Sequence, residues 1–332
     1  MKKIIVTGAT SMIGSALIFS AIECGMTVYA VVRKNTKRLS RLPFSDLIHI
    51  VEVELDALDS LDIPEKCDVF YHFAWAHTVK SERNNPSLQI KNIEYTLSAV
   101  RAANRAGCAK FIGAGSQAEY GPVNGVIGKD TRFYPATAYG TAKFAAGLMS
   151  RKECDKLGIT HIWGRIFSVY GKYDNEGTMI DYAIKSFLKN EPAQFSSGLQ
   201  KWDYLNEKDA GIIFRLLGEK VEESSDFRIA YGKSQPLKDF IMTVVEKMDS
   251  VGLCRFAEPE KDNIPFGLEA DICDLEKAIG YKPTVSFDDG IEDVIEFHRN
   301  ASEVHNDYLY REFCLDAQGI EKEIKSLIDQ KG

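Results

Sequence analysis

Lys3-Ile4-Ile5-Val6-Thr7-Gly8-Ala9-Thr10-Ser11-Met12-Ile13-Gly14 joins a short apolar run to a turn of small residues and then to a segment with helical spacing. The order predicts strand, tight turn and helix. Gly8 permits a sharp reversal, and the small residues after it let a phosphate approach the backbone. The helix N-terminus then offers free N–H donors and a dipole that favours an anion. An ordinary strand-to-helix turn is the plain alternative, but the place between first strand and first helix favours a phosphate site.

Outward from this turn the same alternation continues. Lys3–Val6, Thr27–Val32, Ile48–Val53, Val69–Ala74, Lys110–Ala114 and His161–Ser168 read as near-continuous apolar strands, as in a parallel sheet covered on both faces. Ser15–Cys24, Pro86–Ala106 and Tyr139–Leu157 carry helical spacing between them. The pattern predicts a doubly wound α/β fold with ligands at the carboxyl ends of the strands. Beyond Gly171 it becomes irregular. Helices are expected near Thr178–Lys189, Lys208–Leu217, Pro236–Met248 and Phe287–His298, with a strand at Phe227–Ala230 that rejoins the sheet. The residues from Ser302 onward read as a surface helix or an interface element.

Composition narrows the function. The chain has 332 residues, 45 % hydrophobic and 27 % charged, enough for a large core without disulfides or metal. Its net charge of −7 and the lack of a long basic run argue against nucleic acid as a partner. Seven scattered cysteines without C-x-x-C spacing predict reduced thiols in a cytoplasmic protein. The first apolar run ends at Val6, too early for a secretory leader, and no membrane span is expected.

Tyr139-Gly140-Thr141-Ala142-Lys143 places a phenol and an ammonium four residues apart on one helix face. A free tyrosine titrates near 10, and a neighbouring cation favours its phenolate. Such a pair exchanges a proton with a hydroxyl or carbonyl while a hydride moves. Alone the spacing is common on helix surfaces. Ser116, at the carboxyl end of the fifth strand, adds a hydroxyl that can donate to the reacting oxygen. Ser116, Tyr139 and Lys143 are the predicted catalytic group.

These segments together resemble the extended short-chain dehydrogenase/reductase family, the nucleotide-sugar epimerases, dehydratases and reductases. The opening turn resembles T-G-x-x-G-x-x-G, with Ser11 in place of the middle glycine. Asp68 to Ala76 resembles the family's fourth strand, and Asn92-Ile93-Glu94-Tyr95-Thr96 its N-x-x-G-T helix. Ser116 to Gly121 resembles S-x-x-x-Y-G. Arg165 to Gly171 resembles R-x-x-N-V-Y-G, with Ser168 in place of asparagine. Lys201-Trp202-Asp203-Tyr204 with Asp209-Ala210, and Asp271, Leu275 and Gly280-Tyr281-Lys282-Pro283, match later family segments.

The resemblance implies a Rossmann-type sheet with a smaller C-terminal α/β substrate-binding domain. Residues 1–172 would form the first, rejoined by about 205–232. Residues 173–204 and 233–332 would form the second, with a C-terminal helical extension. It implies a cofactor site at Gly8, Thr10, Ser11, Met12, Ile13, Gly14, Phe73, Ala74, Trp75, Asn92 and Ile166 as well as Tyr139 and Lys143. Substrate contacts are implied at His77, Gln117, Ala118, Ser168, Lys201 and Trp202. Trp202 stands where many members have a diphosphate-binding arginine; it either stacks on the base beside Lys201 or packs in the core. No metal is expected.

The cofactor is expected to be NADP(H), with NAD(H) second. Strand two ends in Arg33-Lys34, with Lys37, Arg38 and Arg41 close behind and no acid among them, and cations suit a 2′-phosphate. Position 118 is alanine, so the acid–base carboxylate of the family's dehydratases is missing, and Glu119 would face the opposite way. The expected reaction is therefore NADPH-dependent reduction of a nucleotide-activated 4-keto-6-deoxy sugar, with Tyr139 as general acid. The alternative is a nucleotide-sugar 4-epimerase with tightly bound cofactor. A cofactor-binding regulatory protein without chemistry is the third class, and the intact Ser-Tyr-Lys set speaks against it. The resemblance also implies a homodimer through residues 86–106 and 139–157, although Ile93, Leu97 and Val100 could equally belong to an internal core.

Overall fold

The computed structural model describes residues 1–79, 81–259 and 267–303. The strands are β1 Lys3–Thr7, β2 Thr27–Val32, β3 Ile48–Glu52, β4 Val69–His72, β5 Lys110–Ser116, β6 Thr160–Ile166, β7 Ser168–Tyr170, β8 Ala193–Phe195, β9 Lys201–Trp202, β10 Tyr204–Asn206, β11 Ser225–Ile229, β12 Gln235–Pro236 and β13 Cys254–Phe256. The helices are α1 Met12–Glu23, α2 Pro86–Gln89, α3 Lys91–Arg105, α4 Ala138–Leu157, α5 Met179–Leu188, α6 Glu207–Lys220, α7 Leu237–Lys247, α8 Cys273–Ile279 and α9 Phe287–Glu303.

Seven strands form one sheet in the order β3-β2-β1-β4-β5-β6-β11, every neighbouring pair parallel. The chain runs outward from β1 to β3, then returns to the other side of β1 with β4. That reversal opens a crevice beyond the ends of β1 and β4, the place where doubly wound folds bind ligands. This is a Rossmann-type sheet with a smaller C-terminal α/β region.

Two apolar layers sandwich the sheet. On one face Ile4, Val6, Val28 and Ile112 pack with Leu17 and Ile18 of α1 and Phe214 and Leu217 of α6, all fully buried. On the other, Ile5, Phe70 and Phe111 meet Ala99, Val100 and Ala103 of α3 and Cys154 of α4. Each such aliphatic side chain contributes roughly 1.5–3 kcal/mol by leaving water. α6 lies so close to α1 that a Cβ at Gly211 would stand 2.4 Å from the Ala16 carbonyl oxygen. A third core, including Ile184 of α5, Ile241 and Val244 of α7 and Ile291 of α9, belongs to the C-terminal region.

The structure departs from the sequence reading in places. The apolar run 161–168 splits: β6 ends at Ile166, and Ser168 opens β7, which pairs with β10 outside the main sheet. Residues 86–106 form two abutting helices, α2 and α3. The sequence reading places no strand at β8, β9 or β12 and no helix at α8, and expects short strands only between the helices near 236–248 and 287–298, where β13 lies. The helical extension expected past residue 303 lies outside the described residues.

Candidate active site

The turn after β1 is shaped for close approach. Gly8 has φ +67°, and a Cβ there would stand 2.7 Å from the Ala74 nitrogen. A Cβ on Gly14 would lie 2.3 Å from the Gly8 carbonyl oxygen. Ser11 caps α1, its hydroxyl accepting from Gly14 N at 3.1 Å, and the first turn holds no acid. Met12 and Ile13 lie in that first turn, where helix geometry gives their N–H groups no intrahelical acceptor. A glycine turn on an acid-free helix start fits the pyrophosphate of a nicotinamide dinucleotide, and a side chain at Gly8 would force the turn off the backbone of Phe73 and Ala74. Arg41 reaches back over the turn, donating to the Thr10 carbonyl at 3.3 Å, with its guanidinium 4.8 Å from the Tyr173 ring centre.

Beyond β2, residues 33–38 and Glu54 line an open cavity of about 400 Å³. Arg33 and Arg38 are exposed here. The Glu54 carboxylate accepts from Lys34 N at 3.0 Å. An acid separated by twenty positions in sequence is thus brought in among the cations by the β2–β3 pairing.

Ser116 ends β5 in register with Ile166 at the end of β6. Tyr139 lies in the first turn of α4, whose cap is Thr137, accepting from Gly140 N at 3.0 Å. The helix start is positively polarised and favours a phenolate there. Burial raises the Tyr139 pKa, while the Arg83 charge and the Ser116 hydroxyl pull it back. Lys143, one turn on, is 4 % exposed and donates to the Ala114 carbonyl at 2.7 Å. Its Nζ stands 3.7 Å from the Trp75 ring centre. Burial brings it down to about 7, against the upward pull of Glu119. Glu119 itself is sequestered. It accepts from Ser116 N at 2.8 Å, Trp163 Nε1 at 3.1 Å and Arg165 Nε at 2.7 Å, and is fully buried.

Side chains of α2 and α3 fix the loop facing this pair. Asn92 accepts from Ala76 N at 2.8 Å and donates to Ala76 O at 3.2 Å. Gln89 accepts from Trp75 Nε1 at 3.0 Å and donates to His77 O at 2.8 Å. Phe73 and Ala74 press against Gly8, and Trp75 meets Tyr139 edge-on at 6.0 Å.

The expected substrate residues are more scattered. Gln117 and Ala118 form the single turn after Ser116. His77, at φ +60°, bonds Glu82 at 3.1 Å. Ser168 opens β7. Lys201 pairs with Glu269 at 3.1 Å, so its charge is already shared. Trp202 packs against two cores, yet its Nε1 is buried with no acceptor among the described residues, as is Gln200 Oε1 without a donor. Sequence reasoning missed Arg83, Glu54 and the Arg165–Glu119 pair. Each depends on a loop-to-helix or cross-strand contact that no local spacing encodes.

Known proteins bear on this geometry. A model of the NAD dependent epimerase/dehydratase family matches residues 4–230. An uncharacterised UDP-glucose epimerase of Bacillus subtilis, YtcB, is 25 % identical over 320 residues, covering 89 % of this chain and 97 % of that protein. The UDP-N-acetylglucosamine 4-epimerase of Methanobrevibacter ruminantium M1, solved with UDP-N-acetylmuramic acid, superposes with a TM-score of 0.80 at 22 % identity, over 90 % of this chain and 99 % of that one. The UDP-glucuronic acid 4-epimerase of Bacillus cereus, solved with NAD, does so at 0.79 and 20 % identity, over 91 % and 98 %.

Two expectations are corrected. The NADPH-dependent reductase is overturned, because these relatives are named as epimerases. NADP(H) as cofactor is overturned by similar structures that hold NAD. The structure adds a carboxylate to the cation cluster at residues 33–38, that of Glu54, and a carboxylate disfavours a 2′-phosphate. By sheet order, crevice and the match over residues 4–230, the chain is an enzyme of the extended short-chain dehydrogenase/reductase type and belongs to the NAD dependent epimerase/dehydratase family.

Proposed function

We propose that this chain is a nucleotide-sugar 4-epimerase working with retained NAD. The observation that carries the reading is the meeting of Ser116, Tyr139 and Lys143 beside the crevice, with the nearby Glu119 locked away from any role as a free base. A proton carrier without a free carboxylate suits reversible oxidation of a hydroxyl better than elimination.

In this reading the turn 8–14 holds the pyrophosphate, Glu54 and the end of β2 hold the adenosine ribose, and Phe73, Ala74, Trp75, Asn92, Lys143 and Ile166 frame the nicotinamide half. Bound NAD supplies a reversible hydride acceptor, so that oxidation at C4 and reduction on the opposite face leave no net redox change. The Tyr139 oxygen takes the proton of the C4 hydroxyl and gives it back. Ser116 donates to the same sugar oxygen, limiting the charge that builds there. Lys143 fixes the active-site wall through Ala114 and supports the phenolate when protonated.

The C-terminal region, residues 173–204 and 233 onward, would receive the nucleotide sugar, with His77, Gln117, Ala118 and Ser168 on the near wall. The unsatisfied Trp202 Nε1 and Gln200 Oε1 support a ligand on that side, since buried polar atoms are ordinarily paired. Lys201 would contribute only after leaving Glu269. The names of the similar proteins support a UDP-hexose or UDP-N-acetylhexosamine. A cytoplasmic homodimer through residues 86–106 and 139–157 completes the proposal. It is supported by Ile90, Leu148 and Met149, which are 63 %, 54 % and 47 % exposed on these helices; Val100 is fully buried and belongs to the core. Among the described residues no helix is long and apolar enough to cross a membrane.

Incubating the purified protein with UDP-glucose, UDP-glucuronic acid or UDP-N-acetylglucosamine, with no cofactor added, tests this by proton NMR. A mixture of C4 epimers is expected for at least one of them. Substrate that changes only when a reductant is supplied would refute the proposal.

A further inference from the structure

Tyr139 is faced by charged and polar groups from several elements. Ser116 approaches from β5, Glu119 from the turn after it, and Lys143 from α4 itself. The fourth is Arg83, from the loop before α2, with its guanidinium carbon 4.1 Å from the phenol ring centre. Lys143 is farther, its Nζ 5.9 Å from that centre. It is also committed elsewhere, donating to Ala114 O at 2.7 Å and lying 3.7 Å from the Trp75 ring centre. A guanidinium stays charged throughout the working pH range, whereas a buried ammonium need not.

The loop holding Arg83 is tied down. Asn84 Oδ1 accepts from Ala138 N at 2.8 Å, the residue before Tyr139, so loop and helix start move together. Arg83 N donates to Val79 O at 2.9 Å. The Arg83 side chain is exposed.

We propose that Arg83 is a positioning residue for proton transfer: laid on the face of the Tyr139 ring, it is the standing cation that stabilises the phenolate. A cation over a ring gains attraction as the ring becomes more electron-rich, so it favours phenolate over phenol. The inference rests on the reading of Tyr139 as the proton carrier.

The test compares wild type, Arg83→Gln and Arg83→Lys, each loaded with NAD. Tyr139→Phe is the spectral blank for ultraviolet titration of the phenolate, and kcat/KM is followed against pH. Arg83→Gln should move both the Tyr139 titration and the acid limb of kcat/KM upward by about half a pH unit. Below the midpoint that is about a three-fold loss, and Arg83→Lys should restore most of it. A phenolate titration unmoved in Arg83→Gln would overturn the inference, including where activity falls evenly at every pH. If Tyr139→Phe turned over like wild type, the catalytic reading would fail, while the difference titration would still decide whether Arg83 governs the phenol.

Discussion

At Tyr139 four effects compete: burial and the Glu119 charge disfavour the phenolate, while the Arg83 guanidinium and the Ser116 hydroxyl favour it. The hydroxyl is therefore the group whose loss costs most. Tyr139→Phe should lower kcat by about 10²–10⁴-fold, the usual worth of a positioned acid–base group, while calorimetry finds NAD binding nearly unchanged. Equal losses of cofactor affinity and rate would mean that Tyr139 only builds the pocket. Ser116, Tyr139 and Lys143 were legible as candidates because their spacing is local or set by one strand end. Arg83 was not, since it reaches Tyr139 across more than fifty positions. Nor was Glu54, which enters the cation cluster through strand pairing.

The elements show how position is enforced. Gly8 joins β1 to α1 with a left-handed backbone and no room for a Cβ beside Ala74. Gly8→Ala should cost about 1–3 kcal/mol from backbone strain alone. It should also leave the purified protein without NAD, as measured by absorbance after denaturation; a full NAD complement would contradict the cradle. Between β6 and α4, His161 Nε2 meets Ser150 Oγ at 2.8 Å. Burial holds its folded pKa down to about 4, against ~6.5 in an unfolded chain. Between those values the unfolded chain binds the extra proton, so this group removes stability as pH falls from about 6.5 towards 4. Burial holds Asp174 and Asp203 up at about 6, which works in the opposite sense. The informative quantity is thus the difference between proteins: the midpoint of thermal unfolding should fall less steeply with acidification in His161→Gln than in wild type. Parallel slopes would place the titration elsewhere. Strands β1 to β6 could be read from apolar runs because a sheet covered on both faces demands them. The break after Ile166 could not, because an apolar run does not say which strand it will pair with.

For the whole molecule, the sheet supplies a crevice and the C-terminal region a second wall with its own core. Ile90, Leu148 and Met149 are exposed, and the proposed dimer would bury them. Leu148→Glu should shift sedimentation from dimer to monomer while leaving far-ultraviolet circular dichroism intact; an unchanged dimer would move the interface elsewhere. The irregular C-terminal half was hardest to foresee, because its short strand pairs carry too few residues for a period to emerge. The account as a whole stands on internal return of hydride at C4 through a retained cofactor. A nucleotide sugar deuterated at C4 tests that directly. The account predicts a C4 epimer that keeps its deuterium, with no added cofactor and no net change in nicotinamide absorbance. Deuterium washed out into water, or conversion in proportion to added reduced cofactor, would contradict it.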